Sequence, residues 1–65
     1  MKIYAAAIAA MKDKDFEFCA AVIYANTKTE ARVIAKNECL RQFPKKYGYT
    51  SHRVSVTNAV TEVKA

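Results

Sequence analysis

A chain of 65 residues has room for one domain and one core, and at that size folding removes only about 60% of the unfolded surface from water. Hydrophobic residues make up 52% and charged residues 26%, which excludes a disordered chain, and one glycine with one proline leaves little material for linkers. Eleven Lys and Arg against six Asp and Glu give a net charge of +5, a balance that favours acidic partners such as nucleic acid, a nucleoprotein or an acidic protein face.

The apolar run near the start, Ile3 to Met11, is far shorter than the ~20 residues a membrane-spanning helix needs. Lys12, Asp13, Lys14 and Asp15 follow it at once, with no cleavage-site pattern. The expectation is a complete small reading frame, without a membrane role, acting in the cytoplasm of a bacterial or host cell. Cys19 and Cys39 are too few for a disulfide framework. With His52 as the only histidine they offer no zinc-ligand spacing either. Both are read as buried free thiols, since free cysteine packs as a small hydrophobe.

Residues 2–11 carry a run of alanines that favours helix by propensity. The neighbouring segment decides against it. Residues 16–25, Phe-Glu-Phe-Cys-Ala-Ala-Val-Ile-Tyr-Ala, are rich in aromatic and β-branched types. Lys12 to Asp15 has the length and chemistry of a hairpin loop. A hairpin of strands 2–11 and 15–25 follows.

Asn26 and Thr27 end the second strand, and Thr27 with Glu30 has capping-box spacing. Good helix formers then continue to Phe43, where Pro44 forces a stop. The helix is expected over residues 28–43. A loop around Gly48 leads to a third strand from Ser51, with His52, Val54 and Val56 on one face and Arg53, Ser55 and Thr57 on the other, extending as far as Val63.

The order ββαβ defines a small α+β domain, residues 1–65, with one helix on one face of a three-stranded sheet. Strand 3 can lie antiparallel beside strand 1, giving order 2-1-3, or parallel beside strand 2. The first is favoured, because alanines on a central strand let a helix approach closely.

One helix covers one face, yet both faces of the hairpin are apolar. Phe16, Phe18, Ala20, Val22 and Tyr24 share one side of the second strand; Cys19, Ala21, Ile23 and Ala25 share the other with Glu17. A large exposed apolar patch marks an interface. Val33 and Leu40 lie off the helix stripe formed by Ala31, Ala35, Cys39 and Phe43 and extend the case for a homodimer or higher oligomer.

Lys28, Arg32 and Lys36 repeat every fourth residue along the helix, and Lys45, Lys46, Tyr47 and Tyr49 follow in the loop. These seven residues form the candidate partner-binding site. Positive charge with aromatic rings is also how sequence-tolerant nucleic-acid binders are built; the bland alternative is a solvated helix face. His52 lacks a nucleophile and an orienting group in reach. Asp13 and Asp15 supply too few oxygens for calcium, and one glycine cannot build a phosphate loop. No enzyme activity, cofactor or metal is expected.

In size and simplicity the chain is similar to small accessory proteins of phages and mobile elements, including inhibitors of defence systems. That likeness rests on no motif and transfers no functional residue. The expected function is a non-enzymatic interaction protein, a homo-oligomer that modulates or inhibits a larger protein or nucleoprotein. Direct nucleic-acid binding through the basic row is the alternative.

Overall fold

The computed structural model describes residues 1–57 and the backbone of residues 61–62. Strands β1 (Lys2–Lys12) and β2 (Asp15–Ala25) form the hairpin, α1 spans Lys28–Gln42, a 3-10 turn spans Lys45–Tyr47, β3 spans Tyr49–Val56 and β4 is the short Thr61–Glu62. The sheet order is β2-β1-β3, every pair antiparallel, with β4 extending the β3 side of β1 through Ile3 and Lys2. The ββαβ fold is thus the one expected, and residues 2–11 are strand. The predicted reach of the last strand to Val63 falls partly outside the described residues.

β1 and β2 pair without interruption from Lys2↔Ala25 to Lys12↔Asp15. Only Asp13 and Lys14 remain to turn the chain, with Asp13 at φ 57°, as a tight two-residue hairpin requires. Thr27 is the N-cap in extended conformation, and its hydroxyl accepts the Glu30 amide at 3.1 Å. Phe43 closes the helix just before Pro44.

The helix rests on Tyr4, Ala6, Ile8 and Ala10 of β1 and on Ile23 and Ala25 of β2, using Ala31, Ala35, Cys39 and Phe43. Alanine lies on both sides of this contact, so the layers meet closely and few large side chains are buried. Burying Ile8, Ile23, Tyr4 or Phe43 contributes about 1.5–3 kcal/mol each. The core is small.

Two sheet edges behave differently. Between Ala9↔Arg53 and Met11↔Thr50, Ala10 of β1 faces both Ser51 and His52 of β3. This β-bulge holds Ser51 at φ 53° and shifts the side-chain alternation by one residue. As a result Tyr49, His52 and Val54 all turn toward the helix layer. β2 has no such break in its ladder, and its outer edge meets no strand among the described residues.

Candidate interaction surfaces

Among the described residues nothing covers the sheet face away from the helix. Its β2 residues stand well out, with Phe16 45%, Phe18 75%, Val22 65% and Tyr24 55% exposed. Across the ladder, Val22 faces Ala5, Ala20 faces Ala7 and Phe18 faces Ala9. A ridge on β2 therefore runs beside a floor of alanines on β1. Arg53 and Ser55 of β3 border the other side, opposite Ala9 and Ala7, and together with Phe18 they rim a shallow depression floored by Ala7 and Ala9.

The helix adds less apolar surface than its sequence implied. Val33 is exposed, but Leu40 is half-buried and lines a groove with Tyr49 and His52. The expected Val33/Leu40 patch is not continuous. Leu40 turns into that groove on the β3 side, and among the described residues the open sheet carries most of the large exposed apolar side chains.

The seven basic and aromatic candidates divide into three groups. Lys36, Lys45 and Tyr49 line one groove between the end of α1 and the start of β3, together with Thr50, Ser51 and His52. Lys46 and Tyr47 form a neighbouring pair, the ammonium 5.2 Å from the ring centroid and both residues exposed. Arg32 is exposed and Lys28 half-buried, about 6 Å and 12 Å back along the helix from Lys36 at 1.5 Å per residue. The row is real but not compact.

Tyr49 is engaged in packing and opens β3, contrary to its expected place in the loop. Its ring lies 5.2 Å from that of Phe43, and the Lys12 ammonium sits 5.4 Å from its centroid. Hydrogen bonding to the Glu17 carboxylate, then burial and the carboxylate's charge, push its phenol above the ordinary tyrosine range. The bulge made this contact possible, and no pattern in the sequence signals it.

His52 is structural: its Nε2 lies 2.6 Å from the Phe43 carbonyl oxygen, an acceptor left over at the helix end. Cys39 is buried, with its thiol directed at the Ala9 and Arg53 carbonyls at 3.4 and 3.8 Å. Cys19 is exposed, which overturns its reading as a buried thiol. The cause is lateral offset: Cys19 sits on the helix side of β2, but a groove rather than helix packing lies above it, bordered by Ile34, Glu38 and Gln42.

Among the described residues no cluster of His, Cys, Asp and Glu could hold a metal ion, and no helix is long and apolar enough to cross a membrane. Comparison with protein-family models, curated proteins and solved structures finds no match. The reading of function therefore rests on the surfaces themselves.

Proposed function

We propose that this chain is a small non-enzymatic interaction protein of the cytoplasm, which self-associates through its open sheet face and modulates or inhibits a larger acidic protein or nucleoprotein. The observation that carries this reading is the uncovered face itself. Monomers seldom leave a contiguous row of large apolar side chains in water, and Phe18 is 75% exposed even with the Phe16 ring 6.2 Å away.

Arg53 borders the open face, but the cationic candidates on the helix and the turn after it lie away from that face. Lys36 and Lys45 flank the groove at the helix end, with Arg32, Lys46 and Tyr47 exposed nearby, so a partner there would not compete with self-association. A net charge of +5 would speed encounter with an acidic surface.

Direct nucleic-acid binding is the second reading, favoured by the exposed Tyr47 ring beside Lys46. Capture of a partner from lysate with and without nuclease separates the two. Titration with short DNA and RNA over a salt series completes the test, because phosphate contacts make affinity fall steeply with salt. Light scattering at micromolar concentration tests self-association; a mass of 7.3 kDa at every concentration would refute it.

A further inference from the structure

We infer that the open face pairs with a second copy of this chain, each Phe18 seating in the Ala7/Ala9 depression of the other. This rests on the self-association proposed above and adds its geometry. The face is self-complementary: it carries a knob and, beside it, a matching hollow. Phe18 projects from β2, and the adjoining hollow has Ala7 and Ala9 as its floor with Arg53 and Ser55 at its far rim.

A two-fold axis running along the strands, between β1 and β2, lays each β2 ridge over the other copy's β1 floor. Phe18 of one copy then meets Ala9 of the other, and Val22 meets Ala5, because these pairs lie level across the ladder. The isologous contact closes on itself, as two-fold interfaces do. Arg53 lies at the rim, where its charge stays hydrated and its guanidinium can reach the face of the incoming ring.

The available area suits such a dimer. At about 200 Å² per aromatic side chain, the exposures of Phe16, Phe18 and Tyr24 amount to about 350 Å² per copy, or about 700 Å² across both. Val22 and the exposed Ala5, Ala7 and Ala20 lie on the same face. They add to that figure, toward the ~1,200 Å² at which specific interfaces begin. Pairing through the β2 edge would leave this apolar face in water on both copies.

The experiment is sedimentation of the wild type, Phe18→Ala and Ala7→Phe, with circular dichroism to check folding and amide exchange to locate the interface. Both substituted positions are exposed, so the protomer fold tolerates them. Removing the knob or filling the hollow should each raise the dimer dissociation constant about 30-fold or more. The bonds of Ala5 to Thr57 fix the ladder phase, so Phe18, Ala20, Val22 and Tyr24 turn their amides outward at the β2 edge. Those amides should exchange rapidly in the dimer. A wild type that stays monomeric would refute self-association altogether. A dimer unaffected by both variants, with the four amides protected, would keep self-association and move the interface to the β2 edge.

Discussion

The imidazole of His52 donates from Nε2 to the carbonyl oxygen of Phe43, 2.6 Å away. A carbonyl oxygen can only accept, so Nε2 carries the proton in this contact. The bond ties β3 to the last residue of the helix unit, just where Pro44 prevents a further turn. His52→Ala should lower stability by about 1–2 kcal/mol, read from urea unfolding. His52→Gln, which retains a donor, should recover part of the loss. Equal losses in the two variants would mean that packing, and not the bond, is what matters.

The helix start gives a cleaner measurement. Thr27→Ala removes the acceptor for the Glu30 amide and should destabilise the protein by about 1 kcal/mol, whereas Thr27→Ser should come near the wild type. Both variants sit at an exposed site, so packing changes do not obscure the comparison.

Acid should weaken one exposed cluster. Glu38 accepts from Arg41 Nε and Gln42 Nε2 at 3.0 Å each, and these bonds, with that to Arg41 foremost, lower its carboxyl from 4.5 to about 2. The folded value lies below the unfolded one. Its stabilisation is therefore complete above pH 4.5 and vanishes as pH falls toward 2. The difference in melting temperature between wild type and Glu38→Gln should shrink across that window. Added salt should also reduce it at neutral pH, because the pair is open to solvent.

The two thiols should separate kinetically. In native conditions an aromatic disulfide reagent should titrate Cys19 at once, and Cys39 only after denaturant is added. Immediate reaction of both would contradict the close contact between α1 and the sheet.

For the cationic groove, Lys36→Glu with Lys45→Glu should weaken binding of the acidic partner by slowing association more than by speeding release. Tyr47→Ala should leave stability nearly unchanged. Tyr49→Ala should lower it through loss of the Phe43 contact. Partner affinity that survives the double lysine change would place the contact elsewhere on the molecule.

Local signals were readable in the chain; long-range ones were not. Thr27, Glu30 and Pro44 fix the helix because capping and proline sterics act within a few residues. The alanines of β1 mislead on propensity alone, and only the strong strand beside them restores the correct reading. Cys19 could not be placed, since its exposure depends on where the helix lies across the sheet. Tyr49 was missed for a related reason. Strand 3 reads correctly from His52 to Val56, but the extra residue at Ser51 reverses the alternation before it, and nothing in the side-chain pattern marks that reversal. The open face was legible, because period-two alternation sorts Phe16, Phe18, Val22 and Tyr24 onto one side without any knowledge of packing.

The bulge at Ser51 also bears on how far such a sheet can grow. Strand-by-strand polymerisation requires that both outer strands accept a neighbour. β2 is regular and has no charged residue between Glu17 and Lys28, so a stray chain could be templated along it. β3 is short, broken after two residues by a non-glycine in left-handed conformation, and carries Arg53. A sheet joined through two β2 strands would present only bulged β3 strands to solvent, and elongation would stop at that pair. In such a sheet the single inserted residue would act as a chain terminator.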